Sequence, residues 1–416
     1  MKELFVQIGA SRDGRDAYLS AASRRGLHSV LIETPEFLDL RSAAARNGFD
    51  SYVPITAPAD VELVMKAIER LDRTPRLILA GFERYAQCAH AVSARAGLIP
   101  AGHTFQAPTK FEQRDTLRRN APHLDQPLFW TLTPNIDSDQ LLHIHYPAVL
   151  KPVNGGGGLC VYLVHDSDQL RRALKHGARL RNYDNTYFPE WITEEYLAGA
   201  ESSVQGLCRN GVCDILAFCS KVIANEPIND LVPITGFREV AHIALGAQDI
   251  PAAVAQFVKD VVRGIGYRDG PFHIDFRETA DGPIFIEMGF RLSGAGVSDL
   301  VRDVSGCDWG EAAFSWMLGE KVPVLSTARV RCAAMVLAFS ERQIEEASRV
   351  HEDLDITIER IASPASVLTL RQKRRLAADL SRHAGPLARI HISGESPAMV
   401  RVLSTRLTTP SSQKGD

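Results

Sequence analysis

Two short apolar runs constrain this chain more than any other feature. They are His273-Ile274-Asp275-Phe276-Arg277 and Ile284-Phe285-Ile286-Glu287-Met288-Gly289-Phe290-Arg291, with Asp281-Gly282-Pro283 between them. Each run has the aromatic and β-branched make-up of a strand, and the residues between are turn formers, so the segment reads as a hairpin. Each strand also carries a carboxylate at its centre. Burying a carboxylate is costly unless it is paired or coordinates a metal. A hairpin sets Asp275 and Glu287 side by side, where they repel, and a magnesium ion bridging phosphate oxygens relieves that repulsion. Ion pairs are the competing arrangement: Asp275 and Arg277 share one strand face at a spacing of two, and Glu287 has Arg291 close behind it.

Two segments upstream add to this. Tyr146-Pro147-Ala148-Val149-Leu150-Lys151 is an apolar strand ending in a lysine, and Gly155-Gly156-Gly157-Gly158 follows shortly after. Glycines let backbone N–H groups close over a polyphosphate, and the ammonium acts as a movable point charge on it. A flexible hairpin would use the same glycines. The second segment, Ile192-Thr193-Glu194-Glu195-Tyr196-Leu197-Ala198-Gly199-Ala200-Glu201, combines an acidic pair, two bulky residues and a further acid. An extended backbone there can meet an adenine edge, and a carboxylate can accept from ribose hydroxyls. An exposed acidic strand and turn has the same pattern.

The first hundred residues alternate strand-like runs (4–8, 29–32, 76–80) with helix-forming stretches (15–25, 83–96), which implies crossovers and a parallel sheet. Gly9 to Asp16 has the glycine spacing of a Walker loop, but Arg15-Asp16 stands where Lys and Ser/Thr would grip phosphate and magnesium. Glu33 ends the second run without the G-x-G-x-x-G that a dinucleotide site needs. Both read as turns between strand and helix. From about 145 the pattern changes to short β-rich runs with helices at 166–176, 251–265 and 309–318. A β-rich, basic stretch follows from 323, in which 371–375 reads as a solvated helix face.

At 416 residues, and one domain per ~150 residues, the chain divides into two or three units. With 47 basic and 50 acidic residues, the balance argues against a dedicated nucleic-acid or anionic-membrane surface. The seven cysteines form no C-x-x-C pair, as expected of reduced cysteines in a cytoplasmic protein. Neither a signal-peptide pattern at Met1-Lys2-Glu3 nor an apolar run of ~20 residues is present.

In this order the four segments resemble the ATP-grasp superfamily: strand-lysine-glycine loop, an E-E-Y-L-x-G-x-E hinge, and paired acidic strands ending in I-E-x-x-x-R. Within it the Arg291-Leu292-Ser293-Gly294-Ala295-Gly296 tail is most similar to L-amino-acid ligases (dipeptide synthases). The resemblance implies an N-terminal parallel α/β domain (1–105) and an ATP-grasp domain of two α+β subdomains sandwiching ATP (106–322, lid about 145–198). A small β-rich C-terminal α+β subdomain (323–408) and a disordered tail (409–416) complete it. It further implies that Lys110, Lys151, Gly155, Gly156 and Gly157 contact ATP phosphates. Glu194, Glu195 and Leu197 would hold adenine, Glu201 the ribose, Asp275 and Glu287 the Mg2+ (Mn2+ as a substitute), and Arg291 the reacting groups. Gly289 departs from the family's usual Asn and leaves one oxygen ligand short.

The activity so implied is carboxylate–amine ligation through an acyl phosphate, on small-molecule substrates, with neither nucleic acid nor membrane and with a homodimer as the family-level expectation. A biotin-carboxylase-like or carbamate/purine-type enzyme would share the ATP site. A nucleotide-binding regulatory protein without turnover is the reading from another class.

Overall fold

The computed structural model describes residues 3–12, 14–43, 48–98, 105–134, 141–184, 186–229, 232–323, 327–349, 352–361 and 386–409. The expected tail from 410 onward and the basic run 371–375 lie outside them.

The N-terminal unit alternates β1 (Leu4–Ile8), α1 (Leu19–Arg24), β2 (His28–Glu33), α2 (Pro35–Ala43), β3 (Ser51–Pro54), α3 (Val61–Glu69), β4 (Pro75–Ala80) and α4 (Ala86–Arg95). Its strands pair in parallel in the order β3-β2-β1-β4. β3 was not among the expected strands; Ser51-Tyr52-Val53-Pro54 is too short and polar to stand out. Helix α1 starts later than its composition implies, because Asp16 ties the preceding loop down. Its carboxylate accepts from the Ser11 N–H at 3.0 Å and from Gln7 Nε2 at 3.0 Å, and pairs with Arg41 at 2.7 Å. The sheet order reverses at β1, so the residues after β1 and β4 open onto one crevice, where α/β sheets present side chains to ligands. Those residues include Arg12 and Phe82-Glu83-Arg84.

The rest of the chain is built on one twelve-stranded sheet. In chain order the elements are α5 (Lys110–Asn120), β5 (Phe129–Leu132), β6 (Ala148–Pro152), β7 (Tyr162–Val164), α6 (Ser167–Gly177) and β8 (Trp191–Glu195). Then come β9 (Ala200–Arg209), β10 (Val212–Asn229), β11 (Val232–Gly246), α7 (Ala252–Ile265), β12 (Gly270–Thr279) and β13 (Gly282–Gly289). The last are α8 (Val297–Ser305), α9 (Trp309–Met317), β14 (Cys332–Ala338), α10 (Glu341–Ala347), β15 (Asp355–Arg360), β16 (Ala388–Gly394) and α11 (Pro397–Thr408). The strand path runs β13-β12-β9-β10-β11-β7-β6-β8-β5, and β14 joins it at β11, carrying β16 and β15 beyond. A parallel α/β unit followed by an antiparallel α+β architecture is the fold class that the sequence implied.

Packing follows the patterns of the sequence. Helix α7 buries Val254, Phe257, Val258, Val261, Val262 and Ile265 against the sheet, with Phe257 and Phe276 at a ring separation of 5.5 Å. Each such side chain contributes about 1.5–3 kcal/mol of apolar burial. Gly266, at φ +78°, closes the helix in the left-handed conformation that glycine adopts without strain. Trp309, fully buried, hydrogen-bonds the Gly206 carbonyl at 2.9 Å and so fixes α9 to β9. Among the described residues no helix is long and apolar enough to cross a membrane.

Candidate active site

The hairpin forms as the sequence dictates. Strands β12 and β13 pair antiparallel with Asp275 directly opposite Glu287, and the turn tightens to Ala280-Asp281. The in-hairpin ion pairs do not form. Asp275 instead meets Lys221 of β10 at 2.7 Å, and Arg277 pairs with Glu201 at 3.1 Å. Glu287 meets Lys110 at 3.0 Å, and Arg291 meets Glu83 at 3.2 Å. Burial pushes the Asp275 carboxyl up, with Lys221 opposing and Glu287 reinforcing. Burial acts the same way on Glu287, but Lys110 and Lys151 outweigh it and hold that carboxyl below its usual range.

Gly289 has a steric cause. A Cβ there would lie 2.1 Å from His273 Cε1, 2.5 Å from His273 Nε2 and 2.8 Å from Glu83 Oε2. His273 is its cross-strand partner, so the imidazole fills the space that an asparagine side chain would need. The ring is neutral: burial and the nearby Arg291 lower its pKa to about 4.

Lys110 and Lys151 arrive from different elements. Thr109 caps α5 in a reciprocal box with Glu112, which places Lys110 in the first turn and Arg114 one turn later on the same face. Lys110 Nζ also donates to the Gly155 carbonyl at 2.9 Å, joining α5 to the glycine loop. Lys151 comes off β6, which pairs with β8 so that Val149 opposes Glu194. Its ammonium sits 2.7 Å from Glu194 Oε2, while Arg114 makes bonds of 2.7 and 2.9 Å to Glu194 Oε1. Burial works against the Glu194 charge, and Arg114 and Lys151 overcome it. Burial also lowers the Lys151 pKa against the pull of Glu194. The Glu194 carboxylate is thus occupied in fixing Lys151. The N–H groups of Glu195 and Tyr196 are bonded to the Leu128 and Pro147 carbonyls at 2.9 and 3.0 Å.

Lys110, Lys151, Gly155, Gly156, Gly157, Glu194, Glu195, Leu197, Glu201, Asp275, Glu287 and Arg291 all line one cleft of about 530 Å³. Sequence reasoning passed over several residues that share it. Lys221, its side chain buried, joins Asp275 to Glu201 at 3.3 Å and to Glu239 at 3.2 Å. Burial disfavours its charge, yet the three carboxylates raise its pKa well above normal. The available signal was a lysine inside the apolar run Phe218-Cys219-Ser220-Lys221-Val222-Ile223, which needs partners. Glu239 reaches His242 Nε2 at 3.3 Å, and His242 and His273 both border the cleft. Arg12 enters from the N-terminal sheet, anchored to the fully buried Glu33 at 2.8 Å. The glutamate that lacked a dinucleotide motif therefore holds an arginine.

The carboxylate pair suits a divalent cation. Asp275 Oδ1 is buried without a hydrogen-bond partner among the described residues, and hard oxygen donors are what magnesium takes. No group of three or more His, Cys, Asp or Glu side chains able to hold a metal occurs among the described residues.

Comparison with known proteins bears on this cleft. Residues 144–299 match the family model described as the ATP-grasp domain. The chain carries an ATP-grasp domain. Dapdiamide A synthase of Enterobacter agglomerans is 24% identical over 164 residues, 39% of this chain and 37% of that protein. Carnosine synthase 1 of Homo sapiens is 25% identical over 224 residues, 51% of this chain and 26% of that protein. The chain thus spans well under half of the length of either relative. A crystal structure of an L-amino acid ligase from Bacillus licheniformis shares the fold of nearly the whole chain. The TM-score is 0.69 at 18% identity, covering 98% of this chain and 97% of that one.

Proposed function

We propose that the chain is an ATP-dependent carboxylate–amine ligase that forms an amide bond, with amino acids as the substrate class. The observation that carries this reading is the convergence of three lysines, a glycine loop, an acidic hinge and an opposed carboxylate pair on one cleft, with Arg291 at its N-terminal side. The named relatives, both synthases, support it.

In this reading the glycine loop covers the phosphates, and Lys110, Lys151 and Lys221 neutralise them. The adenine edge meets the hinge backbone at Glu195 and Leu197, and Glu201 accepts from the ribose. Asp275 and Glu287 would hold magnesium, whose role when bound is to neutralise polyphosphate charge; Lys221 and Lys110 are their counter-charges without it. Arg291 receives the substrate carboxylate. An oxygen of that carboxylate attacks the γ-phosphorus, the bond to the ADP oxygen breaks, and ADP leaves. The amine nitrogen then attacks the acyl carbon, inorganic phosphate leaves and the nitrogen releases a proton. Both steps need positioned charge more than covalent help from the protein.

The test is to incubate the purified chain with ATP and magnesium and a panel of amino acids. Release of ADP and phosphate that depends on two amino acids is expected. Nucleotide binding without any release would instead favour a regulatory protein, and AMP release would sink the acyl-phosphate route.

A further inference from the structure

The N-terminal sheet does more than flank the nucleotide cleft. The tripeptide Phe82-Glu83-Arg84, at the end of β4, makes three separate contacts. Glu83 holds Arg291 at 3.2 Å. Arg84 forms an ion pair of 2.7 Å with Asp184, whose carboxylate is 1% exposed. Phe82 meets the ring of Tyr183 edge-on at 4.7 Å, and the Arg12 guanidinium lies 4.3 Å from one ring and 4.9 Å from the other. Tyr183 and Asp184 belong to the loop between α6 and β8, which closes on itself through a bridge between Arg181 and Tyr187.

That loop also grips the glycine loop from the other side. Asn182 Nδ2 donates to the Asn154 carbonyl at 3.0 Å. Gly157 lies so close to Tyr183 that a Cβ would stand 3.1 Å from the phenol oxygen, and a Cβ on Gly156 would meet Phe82 and Glu83 at 3.4 Å. The glycines are therefore sandwiched between the N-terminal sheet and the 181–187 loop, and the Arg84–Asp184 pair clamps the sandwich.

We propose that Arg84 and Asp184 are positioning residues that join the Arg291 side of the cleft to closure of the glycine loop on ATP. The proposal rests on the ligase reading for its substrate half. A substrate that engages Arg291 and Glu83 orders the 82–84 strip, and the strip sets the glycine loop through Asp184 and Tyr183. Closure on ATP then depends on an occupied substrate site, which limits hydrolysis of ATP by water.

The test uses the full chain with Arg84→Ala, Asp184→Asn and the charge-exchanged double variant Arg84→Asp with Asp184→Arg. Amide hydrogen exchange at 153–158 is read with and without ADP and magnesium, and steady-state ADP release with and without amino acids. Either single variant is expected to lose at least about ten-fold in exchange protection of the glycine loop and to raise KM for ATP by about the same factor, with a smaller change in kcat. The fraction of ATP hydrolysed without amide formation rises, and the charge exchange restores part of each loss. Folding is checked by the exchange pattern of β9, β10 and β12, which both singles should leave unchanged. Exchange at 153–158 within two-fold of wild type in both singles, or a double variant no better than either, would overturn the proposal. A wild-type chain that releases no ADP with any amino acid would defeat the ligase reading, while the exchange experiment would still decide the clamp.

Discussion

The space around Gly289 gives a sharp prediction. The position has no positive φ, so backbone strain is not at issue, and only the 2.1 Å approach to His273 Cε1 and the 2.8 Å approach to Glu83 Oε2 stand against a side chain. Gly289→Ala must move the His273 ring, which is buried on β12 at the border of the cleft. Overpacking of this kind costs about 1–3 kcal/mol. Urea unfolding at neutral pH reads that cost directly. His273→Ala removes the nearer obstruction and leaves only the Glu83 carboxylate, the far end of a flexible side chain that can give way. In that background Gly289→Ala should therefore cost under about 0.5 kcal/mol, a coupling of about 1 kcal/mol or more. Gly289→Asn behaves as the alanine does in the wild-type background and binds Mn2+ no more tightly. Equal costs for Gly289→Ala in both backgrounds would refute the steric account, as would a cost near zero in the wild type.

Other consequences follow from the same contacts. Arg114→Ala strips Glu194 of its two bonds from the guanidinium and should cost about 3–5 kcal/mol by thermal melting; Arg114→Lys recovers only part, lacking the fork, and a loss below about 1 kcal/mol would contradict the reading. Lys151→Ala and Glu287→Gln should each abolish ADP release while circular dichroism stays native, and wild-type turnover in either would count against the site. Acid stability depends on His90 and His273, both lowered from 6.5 to about 4, His90 by burial alone and His273 by burial with Arg291. The unfolded chain takes up these protons first, so the stability is complete above pH 6.5 and is lost as pH falls toward 4, by up to about 3 kcal/mol each. His90→Phe should flatten the pH dependence of urea unfolding between those limits, and an unchanged slope would exclude His90 as a cause.

The hairpin with Asp275 and Glu287 was legible because both ends of the contact lie within one local pattern, two apolar runs and a turn. The lysine before the glycine run was legible for the same reason. What periodicity does not carry is the partner of a charge. Lys221 meets Asp275 across three strands, Arg114 reaches Glu194 from a helix eighty positions earlier, and Glu83 comes from the other sheet. Arg114 and Glu83 look like ordinary solvated charges until the topology brings them inward, and the apolar run around Lys221 says that it needs partners but not which. Gly289 shows the converse: its departure from the family pattern was visible, but its cause, the imidazole opposite, is a property of register and packing.

The junction of β11 with β14 has a consequence for how the chain is made. Ala241 to Leu245 of β11 pair on their outer side with Cys332 to Val336. A ribosome exposes the first of these strands well before the second exists, and it has by then released β5 to β13 of the twelve-stranded sheet. In that interval an apolar edge, Ala241-His242-Ile243-Ala244-Leu245, offers unpaired backbone groups to any extended neighbour. Chains cut short before Cys332 should therefore aggregate through this edge, even though every residue assigned to ATP is already present in them.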